Sequence, residues 1–406
     1  MYRGEKAVNK NITILYAFSF LQKTLFPMAI ITLFWKDHIG LSLTQILLLQ
    51  SIFSVATVLL EYPSGYVSDR LGYRLALNIA SLLGIAGWGL YTFAGSFGEV
   101  IVAEILLGIS LSFISGSDSA LLYETLKAGG KEHLYARYEG RMNGFAQIGE
   151  ALGAIFAGVF YAAAPLLPFF LQTGVWLLAF LLTRFMVEPP RDTSISSGSH
   201  LAEAFQTARY AFVDNRRLRY TILLNTILGI ASFYPVWLIQ PYMQEAGVPV
   251  AWFGPVWAGA NLSVALFALA SHRFHHYLGD RWMVILFIVM IGAGYFGLGL
   301  VGGLWGFLFY YILTSMRGMR GPMMLNHAQM ECPSANRAGV LSLQSLCFRL
   351  FFAGTGPLVG KLADAGGVRH AFHVLLYAFL LILPPLAFLF LRNGRNGKTV
   401  REEVMP

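Results

Sequence analysis

Long apolar runs, most of them close to the length of a membrane span, follow one another along almost the whole chain. A helix needs about 20 apolar residues to cross the hydrocarbon core of a bilayer, and it satisfies its own backbone hydrogen bonds there. The short alternating stretches typical of membrane β-barrels do not occur in the sequence. We therefore predict an all-α polytopic membrane protein with twelve transmembrane helices, near residues 11–35, 43–66, 75–95, 99–122, 141–163, 166–187, 219–240, 251–271, 282–301, 304–325, 342–362 and 371–391.

The charged residues support a lipid environment and indicate an orientation. Only 12% of the 406 residues are charged, whereas about 25% is usual in soluble domains. With the N-terminus inside, 22 of the 29 Lys and Arg residues fall on the cytoplasmic side of the predicted helices and three on the other side. This asymmetry predicts cytoplasmic N- and C-termini, and it accounts for the net charge of +8 without a nucleic-acid partner. The first apolar run lacks a small-residue cleavage site, so we expect it to be retained as a helix.

One long polar stretch, residues 188–217, divides the chain. It contains a Pro-Pro pair, a Ser-rich turn and an amphipathic piece that is typical of a membrane-surface or solvated helix. We predict an N-terminal six-helix bundle over residues 1–187, this stretch as a cytoplasmic linker, and a C-terminal six-helix bundle over residues 218–406.

Three short strings recur in the same order in the two predicted bundles. Each match is weak by itself, but the common order indicates two pseudo-symmetric halves. The pairs are Leu71-Gly72-Tyr73-Arg74 with Leu278-Gly279-Asp280-Arg281, Gly116-Ser117-Asp118 with Gly318-Met319-Arg320, and the Gly153–Gly158 run with the Gly356–Gly360 run. In the second copy of the first string, His276 stands at the position of Asp69.

A charged sequence with two glycines follows the second apolar run: Gly65-Tyr66-Val67-Ser68-Asp69-Arg70-Leu71-Gly72-Tyr73-Arg74. It predicts a tight turn at the membrane surface that Gly65 and Gly72 would permit. The pattern G-x-x-x-D-R-x-G-x-[RK] resembles the loop between the second and third helices of major facilitator superfamily transporters. The resemblance implies that Gly65, Asp69, Arg70, Gly72 and Arg74 form a cytoplasmic gate, closed in one conformational state and open in the other.

Four glycines between Gly144 and Gly158 lie roughly on one face of the fifth predicted helix. Small residues on one face allow helices to approach closely. The run that begins at Gly149 is similar to the fifth-helix motif of drug:proton antiporters, G-x-x-x-G-P-x-x-G-G, but it has Ala154 and Ala157 where the motif has Pro and Gly. The similarity favours an antiporter, and close helix packing alone remains an alternative explanation.

Several ionisable residues interrupt the apolar helices. A charge near the bilayer centre costs at least ~2.5–3.5 kcal/mol on insertion scales, so such residues face a cavity or pair with one another. They are Lys23 in the middle of the first predicted helix, Asp118 and Glu124 in the fourth, Glu150 in the fifth, Arg317 and Arg320 in the tenth, and Arg349 in the eleventh. In the resembling family the first, fourth, seventh and tenth helices line the central cavity, which implies that Lys23, Asp118 and Arg320 lie on the substrate path.

These residues predict two roles. Arginine stays charged and binds carboxylates or phosphates through two N–H groups, so the basic residues could receive an anionic substrate. A lone carboxylate in an apolar site can carry a coupling proton. We predict that Glu150 or Asp118 carries the proton. The alternative for each of these ionisable residues is an internal acid–base pair with a structural or gating role. The predicted substrate site consists of Gln22, Lys23, Asp118, Gln147, Asn225, Arg320 and Arg349.

Three further features receive no functional role. Trp237, near the outer end of the seventh predicted helix with Gln240, fits an interfacial anchor better than a ligand site. The histidines of residues 271–276 lack Cys or Asp at ligand spacing, so we predict ordinary loop residues and no metal site. Cys332 and Cys347 imply no disulfide framework, and no enzyme or cofactor motif occurs in the sequence.

In topology the whole chain resembles the major facilitator superfamily, and the strings at residues 115–124 and 336–342 look like a bacterial permease branch. The resemblance implies a monomeric, multi-pass transporter of the bacterial inner (plasma) membrane, with a small-molecule substrate, the lipid bilayer and a proton gradient but no cofactor or enzymatic activity. We predict proton-coupled efflux of an amphipathic or anionic organic solute. The main alternative is proton-coupled import of a sugar derivative, an organic acid or a siderophore. A lipid flippase and a non-transporting membrane sensor are further alternatives.

Overall fold

The computed structural model describes residues 5–190, 200–332 and 337–395, and within these ranges it contains helices and no strand. Eight of the described helices are long and apolar enough to cross a membrane. The helices are α1 (Glu5–Lys23), α2 (Leu43–Leu71), α3 (Tyr73–Tyr91), α4 (Phe97–Ile114), α5 (Ser117–Ala128), α6 (Tyr135–Ala163), α7 (Leu167–Phe185), α8 (His200–Arg209), α9 (Arg216–Glu245), α10 (Phe253–Leu300), α11 (Leu308–Met330), α12 (Arg337–Gly366) and α13 (Val368–Arg395). Short helical pieces lie at Ile31–Leu33, Phe34–His38, Glu132–Leu134, Tyr210–Asp214 and Val250–Trp252.

The predicted all-α membrane fold is confirmed, and each predicted helix has a counterpart. The first predicted helix is α1 together with the short pieces that end at His38. The fourth is split into α4 and α5, and the eighth and ninth form α10, which is broken at Gly279. Predicted and observed ends differ by several residues because apolar length alone does not reveal where a helix continues beyond the membrane surface.

Contacts divide the chain into two compact units. The first unit comprises Met1–Ile195 with Pro249–Ala258, and the second comprises Ser196–Val248 with Gly259–Pro406. In the first unit α4 lies against α2 and α3, α3 lies against α7, and α1 lies against α6. In the second unit α9 contacts α11, α12 and α13, and its side chains are buried along most of its length. The Ser-rich part of the predicted linker, residues 191–199, lies outside the described residues, and the amphipathic piece forms α8.

The glycine face of α6 brings that helix against α1 and its end, as predicted. A methyl group placed on Gly149 would lie 2.2 Å from the carbonyl oxygen of Phe20, and one on Gly153 would lie 2.6 Å from the backbone nitrogen of Leu25. Only hydrogen fits at such distances. A methyl group placed on Gly144, earlier on α6, would have no atom of a neighbouring helix within 4 Å.

The same face explains why residues 249–258 belong to the first unit. A methyl group on Gly158 would lie 2.1 Å from the carbonyl oxygen of Val250, and one on Gly254 would lie 2.2 Å from that of Ala154. Backbone therefore meets backbone where this segment crosses α6, in the manner of small-residue contacts between membrane helices.

The turn after α2 is a single residue. Helix α2 runs through Pro63 to Leu71, and α3 begins at Tyr73. Gly72 between them has a φ of 122°, a backbone conformation that favours glycine. The prediction that Gly65 shapes this turn is therefore wrong, since Gly65 lies inside regular helix.

Alanine at Gly153 and at Gly144 should have opposite effects on stability. Both substitutions improve helix propensity, by about 1 kcal/mol in helix interiors. Only Gly153→Ala places a methyl group against backbone, that of Thr24 and Leu25 just beyond the end of α1, at a cost of about 1–3 kcal/mol. We expect the melting temperature in detergent to fall for Gly153→Ala and to stay level or rise for Gly144→Ala. Equal shifts would contradict the close contact between α1 and α6.

Candidate functional site

Two helices of the first unit are interrupted inside the first and fourth predicted membrane spans. Helix α1 ends at Lys23, and regular helix resumes at Ile31. Helix α4 ends at Ile114, and Gly116, with a φ of 84°, precedes α5. An interruption inside a membrane leaves backbone N–H and C=O groups without intrahelical partners, and other parts of the protein must satisfy them.

At both interruptions, side chains of neighbouring helices form hydrogen bonds with the backbone groups that lack intrahelical partners. The backbone N–H of Phe26, after the end of α1, donates to Oε1 of Gln172 on α7 over 2.9 Å, and the Gln172 side chain is fully buried. The hydroxyl of Ser64 on α2 donates to the carbonyl oxygen of Ser112, near the end of α4, over 2.8 Å. The interruptions are therefore specified by polar residues on adjacent helices. Discontinuous helices of this kind mark substrate and ion sites in many transporter folds.

A cation and an anion stand at these interruptions. Lys23 is the last residue of α1, which corrects its predicted position in the middle of a helix, and Asp118 lies in the first turn of α5. Both positions are favourable because a helix dipole stabilises cations at its C-terminus and anions at its N-terminus. The Ser119 N–H donates to Oδ1 of Asp118 over 2.8 Å. Two of the predicted site residues thus stand at helix ends of the first unit.

A second carboxylate, which the sequence analysis missed, lies beside Asp118. The Ser119 hydroxyl donates to Oε1 of Glu139 on α6 over 2.9 Å. The other carboxylate oxygen of Glu139 is buried and has no hydrogen-bond partner among the described residues. The fifth helix was predicted to begin at residue 141, which left Glu139 in a loop. The helical periodicity of the sequence upstream of Gly144 was the signal that could have placed Glu139 in this helix.

The remaining predicted residues of the first unit are less concentrated. Gln22 is half-buried on α1, beside Lys23. Glu150 is half-buried on α6, next to the close contact at Gly149, and Gln147 is exposed on the same helix. Their predicted roles in substrate and proton binding stay predictions.

In the second unit two arginines of α11 bind α9. Nη1 of Arg320 donates to the backbone oxygen of Asn225 over 3.0 Å and to its side-chain oxygen. Arg317 donates to the hydroxyl of Ser232 over 3.3 Å and to its carbonyl oxygen. The acceptors of Arg320 are therefore neutral, and its Nε is buried with no partner in the described part of the chain. Removing a guanidinium from water without a counter-charge is costly, so this cation is suited to an anionic ligand.

Helix α9 is rigidly positioned around these arginines. Pro235 cannot donate a hydrogen bond to Ala231, and the Tyr295 hydroxyl donates to that free carbonyl oxygen over 2.7 Å. Trp237 and Gln240 are only 6% and 1% exposed, so the prediction of an interfacial anchor is wrong for Trp237. Both side chains lie inside the second unit because α9 is its central helix.

Arg349, predicted to bind substrate, lies on α12. Its Nε donates to the hydroxyl of Ser345, one turn earlier, over 3.4 Å. The side chain is half-buried, and a role with Arg320 stays a prediction.

At the turn after α2, a carboxylate from the end of the sixth predicted helix caps α3. Glu188 accepts hydrogen bonds from the backbone N–H groups of Tyr73 and Arg74 over 2.9 and 2.8 Å. The Arg74 guanidinium donates to the carbonyl oxygen of Arg184 over 2.8 Å. Capping by a distant carboxylate satisfies orphan N–H groups and complements the helix dipole.

The other predicted gate residues lie on the outside of this turn. Asp69 is exposed and accepts a long hydrogen bond, 3.5 Å, from the Tyr73 hydroxyl. The guanidinium of Arg70 lies over the ring of Tyr66, 4.7 Å from its centroid. The structure shows which groups hold the turn, and opening and closing of a gate stay a prediction.

A buried glutamate of the first unit was also missed. Glu104 on α4 is 4% exposed. One of its oxygens accepts from Nε2 of Gln50 on α2 over 3.0 Å, and the other accepts from the Tyr91 hydroxyl on α3. Because both oxygens have donors, this group links three helices, and it could have been noticed as the single acid in an otherwise apolar run.

The histidine-rich sequence of residues 271–276 lies in the first part of α10, before the break at Gly279, so the prediction of loop residues is wrong. His272 and His276 are exposed, but His275 contacts Asp280 and, through it, His327 of α11. Spacing along the sequence could not reveal this contact because His327 lies far away in the chain. The geometry of these three residues is described further below.

Comparison with known proteins agrees with this arrangement of helices. The family model described as Major Facilitator Superfamily matches residues 12–350. The chain belongs to the major facilitator superfamily. It is therefore a multi-pass membrane protein of a transporter family.

Individual relatives are distant. The chain is 22% identical over 277 residues to the uncharacterized MFS-type transporter YxaM of Bacillus subtilis, covering 65% of this chain and 66% of the relative. It is 20% identical over 305 residues to the quinolone resistance protein NorA of Staphylococcus aureus, covering 72% of this chain and 77% of NorA. A crystal structure of the nucleoside transporter NupG superposes with a TM-score of 0.80 at 14% identity, covering 94% of this chain and 99% of NupG. The last similarity establishes the fold alone.

Replacing the cap of α3 should destabilise the first unit. Glu188→Gln removes the charge and leaves a single side-chain oxygen for two N–H donors, a loss of about 1–2 kcal/mol. We expect a lower melting temperature in detergent. Glu132→Gln, at an exposed position of the same unit, is the control and should leave it unchanged. A Glu188→Gln protein as stable as the control variant would contradict the capping role.

Proposed function

We propose that this chain is a proton-coupled exporter of a small organic solute that carries an anionic group. It works by alternating access, and it resides in the bacterial inner membrane as a monomer with both termini in the cytoplasm. The guanidinium of half-buried Arg320, whose Nε is buried and has no partner among the described residues, is the observation that carries the proposal. Its acceptors on Asn225 are neutral, so the second unit holds a positive charge that a substrate carboxylate or phosphate would compensate.

The first unit supplies a plausible place for the coupling proton. Asp118 and Glu139 are both within reach of Ser119, and two carboxylates held close together share one proton more readily than either holds it alone in water. A proton that arrives here would remove one negative charge from the unit. Glu150, half-buried on α6, is the second candidate.

Export is favoured by one relative. NorA is named for quinolone resistance, and a membrane transporter confers resistance most simply by moving the drug outwards. Quinolones are amphipathic and carry a carboxylate, which is the chemistry that an unpaired arginine recognises. Import of an organic acid would use the same arginine, so the direction of transport has to be determined by experiment.

Loss of the Arg320 charge should abolish the preference for anions. Hydrogen bonds to charged groups are worth about 1.5–3 kcal/mol, so Arg320→Gln should weaken binding of an anionic solute by about tenfold or more. We would first rank organic anions, quinolones and siderophores by thermal shift of the purified protein, and then titrate the best ligand. Arg216→Gln, at an exposed position of α9, is the control. An unchanged affinity in Arg320→Gln would contradict the proposed anion site.

Loss of the acidic pair should uncouple transport from protons. In proteoliposomes with an imposed pH gradient, the wild-type protein should move the ligand against its own gradient from the cytoplasmic face outwards. Asp118→Asn combined with Glu139→Gln should leave only downhill exchange, because no carboxylate remains to take the proton. Glu150→Gln tests the second candidate, and Glu124→Gln, on the same helix as Asp118, is the control.

Three outcomes would count against the proposal. Wild-type transport that ignores the pH gradient excludes proton coupling. Full coupling in the double variant and in Glu150→Gln excludes the carboxylates named here. Accumulation in the opposite direction replaces export by import and leaves the anion site in place.

A further inference from the structure

Three ligand-type side chains converge where α10 breaks and α11 ends. Nε2 of His275 lies 2.6 Å from Oδ1 of Asp280, and Nε2 of His327 lies 2.9 Å from the same oxygen. The three potential ligand atoms all lie within 4.8 Å of one another. All three residues belong to the second unit.

The backbone produces this convergence. Gly279 has a φ of 68° and a ψ of 173°, which reverses the chain between the two parts of α10 and turns Asp280 back towards His275. His327 lies in the last turn of α11 and is 5% exposed. Its ring meets Phe390 of α13 edge-on at 5.5 Å between centroids. One histidine is therefore fixed by packing, while the other two side chains remain partly open to solvent.

The chemistry of the three side chains matches a zinc-type ion. Two imidazole nitrogens and one carboxylate oxygen are the ligands of many three-residue zinc sites, and such sites leave a further position for water. Ions of this class prefer imidazole, whereas magnesium and calcium prefer oxygen ligands alone. The carboxylate already accepts hydrogen bonds from both rings, and an ion that replaces those two hydrogens would meet the same three atoms.

We propose that His275, Asp280 and His327 form a binding site for a divalent transition-metal ion such as Zn²⁺. The bound ion ties the turn between the two parts of α10 to the end of α11. Nδ1 of His327 is buried and has no partner among the described residues. Since loss of such an outer partner weakens metal binding by about 10–100-fold, the affinity is lower than in a fully supported site. The inference does not depend on the proposed transport activity.

The test uses the full-length protein, purified in detergent through a tag that contains no histidine and stripped with a chelator. Zn²⁺ is titrated in competition with a zinc-binding fluorophore, and Co²⁺ binding is followed by visible absorption. We expect one Zn²⁺ per chain, a Zn²⁺-dependent rise in melting temperature, and no such effect of Mg²⁺. His275→Ala should weaken Zn²⁺ binding by more than about 100-fold, since a direct ligand contributes more than an outer partner.

Two variants separate a metal site from a simple hydrogen-bonded contact. Asp280→Asn keeps an oxygen that can accept both imidazole hydrogen bonds but loses the charge that a cation needs, so it should retain the metal-free melting temperature and lose Zn²⁺ binding. His276→Ala, at the exposed neighbouring position, is the control and should bind like the wild type. Should buried His327 variants fail to fold, His275→Ala and Asp280→Asn still decide the question.

The proposal is overturned by any of three results. The first is the absence of stoichiometric Zn²⁺ binding by the wild-type protein. The second is unchanged binding in both His275→Ala and Asp280→Asn. The third is an equal loss in His276→Ala, which would indicate non-specific binding by the histidine-rich sequence.

Discussion

Backbone hydrogen bonding in an apolar solvent is the constraint on which the rest of this structure depends. Helices satisfy it within themselves, which is why an apolar chain of this length folds as a succession of long helices. Where a helix stops inside the membrane, the requirement passes to side chains on neighbouring helices. Gln172 meets it after α1 and Ser64 meets it at the end of α4. Each interruption is thus tied to a particular neighbour, and the charged residues at the interruptions are fixed in place.

Charged residues of the first unit likewise stand where neighbouring backbone groups stabilise them. Lys23 and Asp118 stand at helix ends where the dipoles favour them, and Glu188 caps the start of α3. Arg317 and Arg320 both donate to neutral oxygens of α9. Nε of Arg320 is buried and has no partner among the described residues, so an anionic ligand that met it would offset the cost of burying this charge.

The related turns of the two halves show how one motif acquires different roles. In the first half, Gly72 separates two helices and the following N–H groups are capped by Glu188. In the second half, Gly279 makes the corresponding break, but the string itself supplies an acid, Asp280, which contacts two histidines. In the aligned strings, His276 stands at the position of Asp69. The acid of the second half stands instead on the other side of the glycine.

The sequence by itself determined the fold class, the family, the approximate helices and the close contact along the glycines of α6. The family follows from the resemblance of residues 65–74 to a motif of that family. The other features follow from length, apolarity and residue size, which are local properties that any structure in lipid must respect. It did not reveal the interruptions after Lys23 and before Asp118, the carboxylate of Glu139 beside Asp118, the burial of Trp237, or the meeting of His275 with His327. Each of these depends on which distant helix supplies a hydrogen bond or a contact. Only the tertiary structure decides that, because a side chain's partner across a helix interface leaves no periodic signal in the sequence.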